Sequence, residues 1–155
     1  MSKKIPSAEE LISILHLEPH PEGGAFKETY RSSVQARTQN ERSVGTAIYF
    51  LIRHGRATAW HKVTSDEIYH FYCGAPAELS VISPEGVMSK QTLGTDVQNR
   101  ERPQILIPAN YWQSVSSLGE YTLMGCTVSP GFDFSDFEMI EIEQLKNKYP
   151  ELNLN

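Results

Sequence analysis

Breaks in the chain, more than any single motif, limit what this sequence can fold into. From Gly55 onward, glycine or proline recurs at Gly74, Pro76, Pro84, Gly86, Gly94, Pro108, Gly119, Pro130 and Gly131. Between them lie short runs rich in β-branched and aromatic residues, at 46–53, 67–72, 78–82, 104–107 and 121–128, with no helical stretch separating them. An earlier run at 25–32, AFKETYRS, follows the turn at Gly23-Gly24 and alternates Phe26, Glu28 and Tyr30 with Lys27, Thr29 and Arg31. This is the pattern of antiparallel strands in a sandwich or barrel. The expected fold class is all-β, one domain over residues 1–155 with its barrel core at about 24–140.

Only the ends read as helix. Ser7-Ala8-Glu9-Glu10 forms a capping box, and Leu11, Ile14 and Leu15 mark one face of a short helix running to about His16. Pro19 and Pro21 prevent its continuation. Residues 142–149, just before Pro150, form a second brief amphipathic helix.

Charge restricts the partners. The chain carries a formal net charge of −5 with no basic block, so neither nucleic acid nor an anionic membrane surface is an expected partner. No apolar run approaches the ~20 residues that span a bilayer. The opening MSKKIPSAEELIS lacks the apolar core and cleavage site of a secretory signal. Cys73 and Cys126 are too few and too far apart for a zinc knuckle or a disulfide framework, and each sits among apolar residues as a buried, reduced thiol. The expected location is cytoplasmic.

The chemistry concentrates in GRATAWHKVTSDEIYHFYCG, residues 55–74. On one continuous strand, His61 and Glu67 would stand roughly 20 Å apart at ~3.3 Å per residue. Thr64-Ser65-Asp66 are turn formers. The expectation is therefore a hairpin in which 60–63 and 67–71 become neighbouring strands and the imidazole meets the carboxylate. Strand parity then turns Tyr69 and Phe71 inward with Glu67 and leaves Ile68, His70 and Tyr72 outside. A pocket with one acid and aromatic rings suits a flat or sugar-like ligand.

Other residues divide between binding and structure. Arg31 is either a bidentate clamp for a carboxylate or phosphate, or one half of a surface ion pair. Glu28 is a buried carboxylate needing a partner, or simply a residue at a strand end. Gln113, beside Trp112, bonds a ligand or satisfies a backbone carbonyl. His16, His20 and His54 lie at a helix end and in turns and read as structural. PGFDFSDFE, 130–138, reads as a strap that packs its rings on the barrel while its acids stay wet, with Asp133 or Asp136 as a catalytic acid the alternative.

These residues resemble a known superfamily. Gly55, His61, Glu67 and Gly74 match the first signature of the cupins, with Val63 in place of its second histidine. Pro108 fits the second signature, but Asn110, Gln113 and Ser117 replace glycine, histidine and asparagine, and Arg102 replaces the leading glycine. PHPEGGAFKETYRS (19–32), TAIYFLI (46–52), AWHKVTSDEIYHFYCGAPAEL (59–79), IPANYWQSV (107–115) and GCTVSPGFDFSDFE (125–138) resemble the cupin-5 family, a domain of unknown function. The resemblance implies a conical jelly-roll barrel (a double-stranded β-helix), usually dimeric, with a pocket at one end. It implies no known reaction.

Metal-dependent cupins hold their ion with three histidines and the glutamate. Carried over, that set leaves His61, Glu67 and the amide oxygen of Gln113, enough at most for a weakly bound divalent ion, so no cofactor is expected. The expected ligand is a small polar metabolite, sugar-like or a nucleotide sugar. The expected chemistry is metal-independent epimerase or isomerase proton transfer, with His61 as base, Glu67 orienting it, and Tyr69, Gln113, Arg31 and Glu28 binding substrate. Sugar-nucleotide epimerases of the superfamily pair such a histidine with a tyrosine, for which Tyr49, Tyr69, Tyr111 and Tyr121 are available. The alternatives are a metal-dependent oxygenase or isomerase, and a non-catalytic binding or storage module. A homodimer formed by sheet packing would cover the outward Ile68 and Tyr72.

Overall fold

A computed structural model describes residues 4–38 and 41–154. Among them run α1 (Ala8–Ile14), β1 (Glu18–Pro19), β2 (Ala25–Arg31), β3 (Gln35–Ala36), β4 (Arg42–Ser43), β5 (Thr46–Arg53) and β6 (Trp60–Lys62). There follow β7 (Asp66–Gly74), β8 (Ala77–Ile82), β9 (Met88–Leu93), β10 (Gln104–Ile107), β11 (Trp112–Ser117), β12 (Tyr121–Ser129), β13 (Glu138–Ile140) and α2 (Ile142–Lys148). The strands form one antiparallel sheet in the order β1-β2-β5-β12-β7-β10 and a second in the order β13-β6-β11-β8-β9, while β3 pairs with β4. From β5 onward the chain passes back and forth between the two sheets, which is the all-β jelly roll expected.

The core lies between the sheets. Phe50, Ile52, Tyr69 and Met124 of the first sheet meet Leu79, Val81, Leu93 and Val115 of the second. Strand alternation puts Leu51 and Leu123 on the other face, where Ala8 and Leu11 of α1 cover them. At the far side, Leu145 of α2 and Leu154 pack on Ile82 and Trp112. Among the described residues, no helix is long and apolar enough to cross a membrane. Both cysteines are free.

Local signals act where they are read. Ser7 Oγ accepts from the Glu10 amide at 3.2 Å and Glu10 Oε2 accepts from the Ser7 amide at 2.7 Å, so the capping box forms. The helix ends at Ile14, short of His16, because His16 adopts the left-handed backbone (φ 53°). Strands β9 and β11, MSKQTL and WQSVSS, carry too little apolar alternation to be read from sequence. Pairing with β8 on either side makes them strands.

The expected hairpin does not form. Strand β6 pairs with β11 and β13 in the second sheet, whereas β7 pairs with β12 and β10 in the first. Residues 63–66 do not close on themselves; they dock on the turn before β11. The Val63 carbonyl accepts from the Asn110 amide at 2.8 Å, and Asp66 Oδ1 accepts from the Ala109 amide at 2.9 Å. His61 and Glu67 therefore approach across the interior, from opposite sheets.

The turn before β2 is the other piece that positions the site. The Gly23 amide bonds the His20 carbonyl and the His20 amide bonds the Gly24 carbonyl, each at 3.0 Å. The Glu22 carbonyl accepts from the Ala59 amide at 2.7 Å, which ties this turn to the start of β6. Gly24 has φ 76°, and a Cβ there would stand 2.8 Å from the Leu51 carbonyl oxygen and 3.0 Å from the Phe50 ring. Gly55 has a similar φ of 70° with nothing nearby. Gly24→Ala is expected to cost at least about 2 kcal/mol and lower the melting temperature by about 6 °C, against about 1 kcal/mol and about 3 °C for Gly55→Ala. Thermal unfolding followed by circular dichroism checks both, and the ordering of the two losses is the decisive readout.

Candidate functional site

His61 is the centre of the site, and its tautomer follows from its contacts. Its ring lies in the interior with Nδ1 2.8 Å from the Ala59 carbonyl oxygen and Nε2 3.0 Å from Glu22 Oε2. A carbonyl only accepts, so Nδ1 carries a proton. With Nδ1 protonated, a neutral ring presents a lone pair at Nε2, and that lone pair faces a carboxylate oxygen. A proton must lie between them. Burial alone pushes the imidazole pKa down, but the Glu22 charge and hydrogen bond, with help from Glu67 and the Ala59 carbonyl, raise it to about 9. His61 is an imidazolium at neutral pH.

Glu67 reaches the same cavity from β7. Its Oε2 accepts from Gln113 Nε2 at 2.9 Å, and the Cys126 thiol donates to it as well. Burial pushes this carboxyl up and His61 pulls it down; Glu22 adds repulsion, and the net position is about 7. The Cys126 thiol is itself pushed well up by burial and by the two carboxylates, so it remains a protonated donor. Behind Glu67, Tyr69 donates to Gln113 Oε1 at 2.7 Å. The phenol is likewise raised by burial, which leaves a one-way chain from Tyr69 through Gln113 to Glu67.

The cavity between these groups has a volume of about 40 Å³, room for about three waters. Its apolar wall is supplied by Phe26, Phe50, Phe137 and Val63. His20 closes one side, edge-on to Phe26 with ring centroids 4.5 Å apart. The Glu22 amide donates to His20 Nδ1 at 3.2 Å. Burial pushes the His20 pKa down, the Glu22 charge raises it in part and the charge on His61 lowers it again, and the net shift downward keeps this ring neutral beside its charged neighbour. The strap 130–137 covers the mouth. It is fastened by Phe132 N to Thr46 Oγ1 at 2.9 Å, by Thr64 Oγ1 to Asp136 Oδ2 at 2.7 Å, and by the Arg42–Asp136 ion pair.

Several sequence expectations need correction. The carboxylate orienting His61 is Glu22, because the 20–24 turn, rather than β7, lies against the imidazole edge. Tyr69 and Gln113 do not line the cavity; they stand behind Glu67 and hold it. His20, expected to be structural, is part of the wall. Arg31 and Glu28 sit at the mouth, bonded to each other at 2.6 Å. Asp136 is committed to Arg42 and Thr64, and Asp133 accepts from the Ser135 amide at 2.8 Å.

None of the four candidate tyrosines lines the cavity: Tyr49 packs outside against Tyr72, Tyr111 packs on the core, and Tyr121 donates to the Pro6 carbonyl. His70 faces outward as expected and bonds Thr127 Oγ1 at 2.9 Å. Glu22 and His20 were legible only as parts of the phrase PHPEGG, whose prolines and glycines read as a turn.

The donor set fits a metal ion poorly. Gln113 turns its nitrogen to Glu67 and commits its oxygen to Tyr69, so the amide offers nothing to an ion. His61 Nε2 is taken by Glu22. Among the described residues, no three His, Cys, Asp or Glu side chains converge with metal-holding geometry.

Two outcomes follow from these proton positions. The native His61 binds its proton above the ordinary value of 6.5, so its stabilisation is whole below pH 6.5 and is lost as pH rises through about 9. Glu67 has the same sign: raised from 4.5 to about 7, it favours the native state at low pH and loses that contribution through about 7. The melting temperature is therefore expected to fall from pH 6.5 to 9, and Glu22→Gln should flatten that descent in a pH series of thermal unfolding. Tyr69→Phe leaves Gln113 Oε1 buried and unpaired, at about 1–3 kcal/mol. Carboxyl carbon NMR should then show Glu67 titrating at higher pH than in the wild type.

The comparisons with known proteins agree with this architecture. A family model described as Cupin superfamily (DUF985) matches residues 9–140. Protein SO0799 from Shewanella oneidensis is 38% identical, with a TM-score of 0.88 over 95% of this chain and 92% of that one. A hypothetical protein from Leishmania major is 33% identical, with a TM-score of 0.88 over 94% of each chain. The uncharacterized protein YML079W of Saccharomyces cerevisiae is 25% identical over 154 residues, 88% of this chain and 77% of its own length. With its fold and most of its length matched, the chain belongs to the cupin superfamily, in the family of unknown function DUF985.

Proposed function

We propose that this cupin binds a compact, sugar-like metabolite bearing a carbonyl group and moves a proton on it without a metal, as an isomerase or epimerase does. The observation that carries this reading is a protonated imidazole and a separate carboxyl, poised near neutrality, that share a chamber with room for about three waters. Groups whose environments set their proton affinities apart make an acid and a base. Glu67, at about 7, is the base; His61, held protonated by Glu22, is the acid. The sequence leads one to expect His61 as base with Glu67 orienting it; in this reading Glu67 is the base, His61 the acid and Glu22 the orienting group.

In the forward step, Glu67 takes the proton from the carbon next to the carbonyl as the electron pair moves toward oxygen. The substrate oxygen displaces Glu22 as acceptor of the His61 Nε2 proton and takes that proton, and the product is an enediol. Return of the proton to the former carbonyl carbon, with His61 taking the proton of the other enediol hydroxyl, completes an isomerisation. Return to the original carbon after the enediol has turned its other face to Glu67, with His61 recovering its own proton, is an epimerisation. The surrounding Phe rings keep water from quenching the intermediate. The chamber is too small for a nucleotide or for a whole sugar ring, so it takes only the carbonyl end of the substrate and leaves the remainder toward the mouth. Gln113, with its oxygen committed to Tyr69, supports the metal-free form.

The test is exchange in deuterium oxide with a panel of aldoses, ketoses and small hydroxycarbonyl compounds, read by proton NMR. A substrate should gain deuterium next to its carbonyl, at a rate that rises through about pH 7 and falls through about pH 9. Glu67→Gln and His61→Gln should each lose at least about 100-fold. Exchange with no compound in the panel, or activity lost to a chelator and restored by a divalent ion, overturns the proposal.

A further inference from the structure

The mouth of the cavity carries its own specificity. A second hollow of about 230 Å³ lies outside the inner chamber and shares Phe26, Thr46, Ile48 and Phe132 with it, so the two adjoin. Its charged residues are Glu28, Arg31 and Asp133. Simple alternation along β2 would put Glu28 and Arg31 on opposite faces. The pairing of β2 with β5 shifts between Glu28 and Tyr30, so Glu28 lies opposite Ile48 and Arg31 opposite Thr46, both of which line the hollow. The extra residue, Thr29, is a bulge that brings the acid and the guanidinium onto one side.

From these groups we infer that the mouth selects uncharged polyhydroxy compounds and turns away phosphorylated or carboxylated ones. The inference rests on the proton-transfer reading for the site's purpose, but its observations are separate. Arg31 does not stand free as an anion clamp: Nε donates to Glu28 Oε1 at 2.6 Å and Nη2 donates to the Phe132 carbonyl at 3.0 Å. Asp133 is held in its anionic form by hydrogen bonds from Ser135 and by Arg42 and Arg31. Arg42 is itself paired with Asp136. Two carboxylates thus face one guanidinium, and the hollow has a negative excess that repels an anion.

What remains suits hydroxyl groups. Glu28 keeps a carboxylate oxygen that accepts, and Arg31 Nη1 keeps protons to donate. A sugar hydroxyl both donates and accepts, so neighbouring hydroxyls can satisfy the two together. Phe132 and Phe134, edge to face with centroids 4.9 Å apart, offer an apolar surface for the C–H face of such a ring.

The test separates binding from turnover. The full chain is titrated with glucose, glucose 6-phosphate and glucuronate, and with ribose and ribose 5-phosphate, by two-dimensional amide NMR, with salt held constant. Each neutral sugar should bind at least tenfold more tightly than its anionic partners. Glu28→Gln, at a half-exposed position, should narrow that ratio severalfold, and Arg31→Gln should widen it while weakening neutral sugars. Equal or tighter binding of the anionic sugars, a ratio unmoved by Glu28→Gln, or no binding of any probe overturns the inference. Selective binding of the neutral sugars without deuterium exchange sinks the proton-transfer proposal alone; exchange with an anionic sugar preferred sinks only the selectivity.

Discussion

A single proton between His61 Nε2 and Glu22 governs the interior of this protein. Two buried groups of opposite charge are costly to take out of water, and breaking such a pair leaves an uncompensated charge behind. The chain spends several backbone contacts on keeping them together. The Ala59 carbonyl fixes the imidazole from behind, and the Ala59 amide grips the Glu22 carbonyl. One short segment before β6 thus anchors both partners. The neutral His20, the phenylalanine wall and the strap are arranged around that pair.

The two carboxyls differ because their surroundings differ. Glu22 faces an imidazole edge. Glu67 faces neutral donors, an amide and a thiol, in a buried setting that favours its protonated form. In the proposed chemistry, that contrast is what divides the work, since Glu22 is already engaged with the His61 ring. Among the described residues, no buried side-chain nitrogen or oxygen lacks a hydrogen-bond partner. Interiors with this much polarity need complete satisfaction, because each orphaned group weakens the network it belongs to.

Much of the fold was legible in residues taken a few at a time. The capping box at Ser7 and Glu10, the strands β5 and β10 and the inward parity of Tyr69 all appear where local pattern puts them. The site was less so. Thr64-Ser65-Asp66 reads as a tight turn, yet the chain there crosses between sheets, since its donors and acceptors are taken by the 108–110 turn. PHPEGG reads as punctuation, and its glutamate proves to be the partner of the central histidine. The bulge at Thr29 inverts a parity that alternation alone would give.

The sequence by itself determined the alternation of strands and breaks, the helical ends, the loss of an imidazole at Val63 and the presence of His61 and Glu67 in the interior. These depend on propensities and periods that act over a few residues. Only the tertiary structure decided which carboxylate meets His61, which way Gln113 turns its amide, and on which side of Glu67 Tyr69 stands. Those outcomes depend on how two sheets and an N-terminal turn come to face one another, and proton affinity in a buried site is set by such distant neighbours.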